Sequence, residues 1–128
     1  MPHLTVQATP NVTIRQPESL LKALNTTLWQ SGEFKQPEDI KARMLDVETF
    51  LVGMDDDQQE RGFVSVELQL MPGRSEAVKN TLAASLLACL QAELSAAMSS
   101  RVKVQCCVEV LELNTVYHKA MLSVDSAE

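Results

Sequence analysis

The sequence lacks a clustered cationic stretch and any apolar run long enough to cross a membrane. Its 11 basic residues are outnumbered by 17 acidic ones, for a net charge of −6, and the basic residues are scattered. Nucleic-acid phosphates demand a concentrated positive face, so nucleic acid is excluded as a partner. A membrane helix needs about 20 consecutive apolar residues, and no stretch approaches that. The start lacks the charged-then-apolar layout of a secretory leader, and the expected location is the cytoplasm. Three cysteines give an odd count with no C-x-x-C spacing, which is neither a disulfide framework nor a zinc site. Cys89, Cys106 and Cys107 are expected to be small buried hydrophobes, the last two on opposite faces of a strand. At 128 residues the chain is too short for two cores, so one domain over 1–128 is expected.

What is present is a pattern that runs twice. Leu4, Val6 and Ala8 alternate with His3, Thr5 and Gln7, the period of a half-buried strand, and Thr9-Pro10-Asn11 ends it. A helix is predicted from Pro17 and Glu18, with Leu20, Leu21, Leu24 and Leu28 on its apolar face and Gly32 as a left-handed cap. After the connector Gln36-Pro37-Glu38, Ile40, Ala42 and Met44 alternate with Lys41 and Arg43 in a second strand running to about Val52. Met54 to Gly62 is the most polar stretch. Its three aspartates lack the spaced ligands and glycine of a calcium loop, so it reads as a solvated connection.

The second round begins with Val64, Val66, Leu68 and Leu70, a third strand. Met71-Pro72-Gly73-Arg74 turns the chain, Ser75 caps a second helix, and Glu76 lies in its first turn. Val78, Leu82, Leu86, Cys89, Leu90 and Ala97 recur at helical spacing, with an end near Ser99-Ser100. Val102, Val104, Cys106, Val108 and Val110 mark the inward face of a fourth strand. From Asn114 to Glu128 no clear period remains, and a weakly helical or irregular tail is expected. The halves, about 1–54 and 62–113, each read strand-helix-strand. Such units favour right-handed crossovers and parallel pairs, with both helices on one sheet face. The fold class is therefore α/β (α+β), a two-layer sandwich of duplicated β-α-β units. The other sheet face is polar but carries Leu45, Val47, Leu111 and Leu113, which suggests cover by another copy of the chain.

Few residues stand out as chemistry. Side chains two apart share a strand face, so Lys41 and Arg43 project together, as a solvated edge or as an anion site. His3 and His118 have no carboxylate or cysteine at ligand spacing and read as strand or surface histidines. Trp29 reads as a packing residue. Pro2 has two readings. A small second residue promotes removal of Met1, which is often without consequence. Here removal would also leave a secondary amine fixed at the head of a strand.

A strand opening at Pro2, the duplicated unit, and Pro72-Gly73-Arg74-Ser75 directly before the second helix together resemble the tautomerase superfamily. Gly73-Arg74-Ser75-Glu76 is similar to a turn in 4-oxalocrotonate tautomerase, whose subunit equals half of this chain. The nearer resemblance is to the 5-carboxymethyl-2-hydroxymuconate delta-isomerase family. It rests on Met1-Pro2-His3, Ile40-x-x-Arg43, the acidic loop, Gly73-Arg74-Ser75, Ser100-Arg101 and Glu109-Val110-Leu111-Glu112-Leu113.

The resemblance implies a tautomerase/MIF-like fold and a homotrimeric, cofactor-free isomerase of aromatic-compound breakdown, in the homoprotocatechuate pathway. It implies that Pro2, freed of Met1, shuttles a proton on a 2-hydroxy-dienoate dicarboxylate. Arg74 and Arg43 match family arginines that bind the carboxylate substrate, and Lys41 stands where the family has arginine. Lys41 and a tail shorter than the family's are departures. They keep open a tautomerase acting on another keto-enol acid and a catalytically idle oligomeric homologue serving as a binding or structural protein. The small-molecule partner that the resemblance implies is a carboxylate substrate, and no metal is implied.

Overall fold

The computed structural model describes residues 1–58, 60–96 and 101–124. Its order is β1 (His3–Ala8), α1 (Pro17–Gln30), a short 3-10 turn (Pro37–Asp39), β2 (Lys41–Asp46), β3 (Arg61–Leu70), α2 (Glu76–Ser95) and β4 (Lys103–Glu112). The four strands form one sheet in the order β2-β1-β3-β4. β1 and β2 are parallel, as are β3 and β4, while β1 and β3 are antiparallel. Two parallel strand-helix-strand units therefore meet along the antiparallel centre, which is the duplicated arrangement predicted above.

Alternation decides which sheet face is dry. Leu4 and Val6 of β1 and Val64, Val66, Leu68 and Leu70 of β3 point to one side and are essentially inaccessible. Leu20, Leu24 and Leu28 of α1 and Leu82, Leu86, Leu90 and Leu94 of α2 meet them at four-residue spacing. Each fully buried leucine stabilises this layer by about 1.5–3 kcal/mol. Both helices thus cover the same face, leaving the odd-numbered side chains on the other. Ser75 caps α2 by accepting from the Val78 N–H at 3.2 Å. Gly32 ends α1 with φ of 79° and Gly73 turns at 124°, both in the left-handed region that favours glycine.

Several boundaries differ from expectation. β2 stops at Asp46 rather than near Val52, because its partner stops: the last rung is Val47 N–H to the Ala8 carbonyl at 3.4 Å, and the chain turns at Thr9. β3 begins earlier, at Arg61, so Gly62 belongs to a strand and not to the loop. The loop between them is tied down by Gln58, which accepts from Val52 N–H at 2.7 Å and donates to the carbonyls of Val52 and Asp55. Asp55 pairs with Arg61 at 3.1 Å. Leu94 is a core residue that the helical pattern above omitted, whereas Ala97 and the expected end at Ser99-Ser100 lie outside the described residues. Cys107 is exposed, a correction to the buried reading: it pairs with Ser65 on the outer sheet face. Cys89 and Cys106 pack partly buried against the core. Among the described residues no helix is long and apolar enough to cross a membrane, and no cluster of His, Cys, Asp or Glu is arranged to hold a metal.

Candidate active site

Pro2 is buried, and its carbonyl accepts from the Lys41 N–H at 3.2 Å, so the start of the chain is held by the β1–β2 ladder. His3 lies opposite Lys41 and Thr5 opposite Arg43 in register. Lys41 and Arg43 therefore share the outer sheet face with His3 and Thr5, as strand parity requires. The turn before α2 brings Arg74 to the same end of the sheet. There its charge acts on the terminal amine together with that of Lys41.

The amine present in the structure belongs to Met1. Partial burial lowers its pKa from the ordinary 8.0, and the charges of Lys41, Arg74 and Lys119 lower it further, while Asp39 opposes them. Lys41 is itself lowered, first by burial and then by Lys119. Its ammonium donates to the Asp39 carbonyl at 2.6 Å, and among the described residues it has no ion pair. Lys119 lies 3.8 Å from Asp39 Oδ1. The result is a cationic end of the sheet around a terminal amine that sheds its proton more readily than usual.

Arg74 is anchored rather than free. Its Nε donates to Glu33 Oε1 at 3.2 Å and its Nη2 to the Glu33 carbonyl at 2.9 Å. The guanidinium lies 4.9 Å from the Phe34 ring centroid. A guanidinium has five N–H donors, so Nη1 remains for an anion after Glu33 is served. Arg43 is placed differently. Its Nη2 meets His3 Nδ1 at 3.0 Å and its Nη1 donates to Thr5 Oγ1 at 3.3 Å, on an exposed part of the face. Since arginine only donates, His3 Nδ1 accepts, and the ring proton sits on Nε2. Nε2 then donates to the Tyr117 hydroxyl at 2.8 Å. Burial, then Arg43 and Lys41, push His3 below its usual pKa, in keeping with that neutral tautomer.

Pro2, Lys41 and Arg74 are thus brought to one end of the sheet, with Arg43 one contact outward through His3. Sequence reasoning missed Asp39, Tyr117 and Lys119. Asp39 follows the Pro37-Glu38 connector, two residues before Lys41. Tyr117 and Lys119 sit in a tail without periodicity, where a tyrosine and a lysine flanking His118 were the one local cue. His118 itself is exposed. A low-pKa amine beside fixed cations is equipped to take a proton from an anionic acid and to hold the anion that results.

The model of the 5-carboxymethyl-2-hydroxymuconate isomerase family matches residues 2–122. Among solved structures, the chain is similar to a 5-carboxymethyl-2-hydroxymuconate isomerase from Deinococcus radiodurans R1, at 27% identity and a TM-score of 0.81, over 92% of this chain and 88% of that one. A second 5-carboxymethyl-2-hydroxymuconate delta-isomerase superposes at a TM-score of 0.78 with 18% identity, over 94% and 88%. A fused 4-OT symmetric trimer shares the fold at a TM-score of 0.61 with 22% identity, over 86% and 85%. No curated protein matches the sequence.

Proposed function

The chain belongs to the 5-carboxymethyl-2-hydroxymuconate isomerase family, and on that premise we propose that Pro2, freed by removal of Met1, is the proton-shuttling base of an isomerase acting on a 2-hydroxy-dienoate dicarboxylate. The proline nitrogen takes the enol proton. The oxygen's electrons become a carbonyl, the double bonds shift along the conjugated chain, and the same nitrogen returns the proton to carbon. One group performs both steps when its pKa lies near the working pH. The single observation that carries this reading is the placement of Pro2, buried with its carbonyl held by the Lys41 N–H, at the end of the sheet where burial, Lys41 and Arg74 lower the pKa of the terminal amine. Trimming moves that amine by one residue, about 3.8 Å along the chain. It stays beside Lys41, whose N–H holds the Pro2 carbonyl.

Arg74 and Lys41 are assigned to the substrate carboxylate and to the negative charge that develops on the enolate oxygen. Arg43, on the open part of the same face, is assigned to the far end of a long substrate. The test is a ketonisation assay on 2-hydroxymuconate-type enols with the trimmed protein. Turnover should rise with pH through one group below about 8, the range of an ordinary α-amine. Inactivity on every such enol would refute the reading and leave an idle homologue. Lys41 supports a second reading, the same base acting on another keto-enol acid, because ammonium and guanidinium do not hold a carboxylate alike. Relative rates across a panel of enols, with and without Lys41→Arg, separate the two.

We further propose a homotrimer. Leu45, Leu51, Met54, Val116, Met121, Leu122 and Val124 are apolar and 45–94% exposed. Apolar exposure gathered on one strand edge, one loop and the tail favours cover by further copies of the chain.

A further inference from the structure

The Met1 thioether lies between two lysine ammonium groups. Its sulfur lies 3.1 Å from Lys119 Nζ and 4.0 Å from Lys41 Nζ. Two ammonium groups repel, and a thioether sulfur is only a weak acceptor between them. The Asp39 carboxylate serves neither well. Asp39 gives Lys41 only its backbone carbonyl, and its Oδ1 stands 3.8 Å from Lys119. The sulfur stands in for a carboxylate oxygen, which would receive charge-assisted bonds from both lysines.

Lys119 is not there by chance of a loose tail. Leu113 N–H donates to the Leu70 carbonyl at 2.6 Å, extending the β3–β4 pairing into the start of the segment. Asn114 Oδ1 accepts from Val116 N–H at 2.8 Å and turns the chain. Tyr117 then docks on His3 through the 2.8 Å hydrogen bond and an edge-on ring contact with centroids 6.1 Å apart. His3 is in turn held by Arg43. Two residues beyond this anchor, Lys119 reaches back over the start of β1.

We propose that Lys119, delivered by the C-terminal segment, is a specificity-determining residue that forms with Lys41 a subsite for one carboxylate of a dianionic substrate. Removal of Met1 then does two things at once: it frees the Pro2 nitrogen and it vacates this subsite. The proposal deepens the reading of the same site given above, and its test is chosen to stand apart from turnover. Hexanedioate and hexanoate, neither of which has an enol to isomerise, are titrated into Met1-free wild type, Lys119→Gln and Lys119→Arg, with binding followed by chemical-shift changes. Lys119→Gln should lose about tenfold or more of the hexanedioate affinity, as expected for one charge-assisted bond. Hexanoate binding should scarcely change, because its single carboxylate is left to Arg74, and Lys119→Arg should restore hexanedioate binding. Wild type that still carries Met1 should bind hexanedioate more weakly than the trimmed protein. Equal hexanedioate affinity in wild type and Lys119→Gln would overturn the proposal, as would an equal loss for both acids or no hexanedioate binding by wild type. A trimmed protein that shows the selectivity but turns over no enol would sink the Pro2 mechanism and support the subsite.

Discussion

Replacing Arg74 with alanine tests two consequences of one charge. The guanidinium is held by Glu33 at 3.2 Å and by the Phe34 ring at 4.9 Å, and its charge is one of those that lower the terminal amine after burial and Lys41. Losing a charge-assisted bond to a substrate carboxylate should cost about 1.5–3 kcal/mol. That is roughly ten- to a hundredfold in kcat/KM. The fold should survive: a partly exposed ion pair contributes about 0.2–1 kcal/mol and an exposed cation–π contact about 0.5–1 kcal/mol. The pH dependence moves as well. The neutral amine is the working form, and a neighbouring cation disfavours its protonated form. Without Arg74 the amine keeps its proton to higher pH, so the acid limb of kcat/KM shifts upward. Arg74→Lys retains a cation, and should leave the limb nearly in place while recovering only part of kcat/KM, since lysine lacks the planar fork. The assay is kcat/KM for a dicarboxylate enol against pH, with a melting curve as control. Unchanged kcat/KM and an unchanged acid limb in Arg74→Ala would refute the assignment.

Three further outcomes follow from the geometry. Gly62→Ala would place a Cβ 2.8 Å from both Asn11 Oδ1 and Thr9 Oγ1 and 2.9 Å from Val12 Cγ2; it should destabilise by about 1–3 kcal/mol, and an unchanged Tm would contradict the packing described. His3 has a folded pKa below 6.5, through burial and then Arg43. Its contribution to stability is therefore present above about pH 6.5 and lost as pH falls through the lower folded value. Proton NMR of the imidazole should show the low pKa and its partial recovery in Arg43→Ala, and a free-histidine titration in wild type would defeat the network. Sedimentation equilibrium at micromolar concentration should return three times the chain mass, and a monomer would remove the trimer.

Much of the fold was legible because it rests on local periods. Leu4 and Val6, the four valines and leucines of β3, and the i, i+4 leucines of both helices declare their buried faces without reference to anything distant. What was not legible depends on partners far along the chain. Val47 to Val52 has strand-like composition, yet β2 ends where β1 runs out of backbone to pair. Arg61 and Gly62 read as loop residues because a charge and a glycine hide a strand start that only Lys103 and Val104 opposite them reveal. The site divides in the same way. Pro2, Lys41, Arg43 and Arg74 stand in short motifs, and the β1–β2 ladder positions the first three while the turn before α2 positions Arg74. Tyr117 and Lys119 have no motif, and their contacts arise only once the tail folds back more than a hundred residues onto His3 and Met1.

The central claim is that a free proline nitrogen carries the proton, and it is tested most directly on one purified sample. Intact-mass analysis establishes whether Met1 is gone, and the same sample is then assayed for ketonisation before and after graded acylation of its terminal amine. The account predicts a mass lower by one methionine. It also predicts activity that falls in step with the fraction acylated at Pro2, since an amide nitrogen has no lone pair to offer. Pro2→Ala, with a primary amine of different pKa and looser placement, should keep a remnant. Full activity in a protein that retains Met1, or in one fully acylated at Pro2, would contradict the claim.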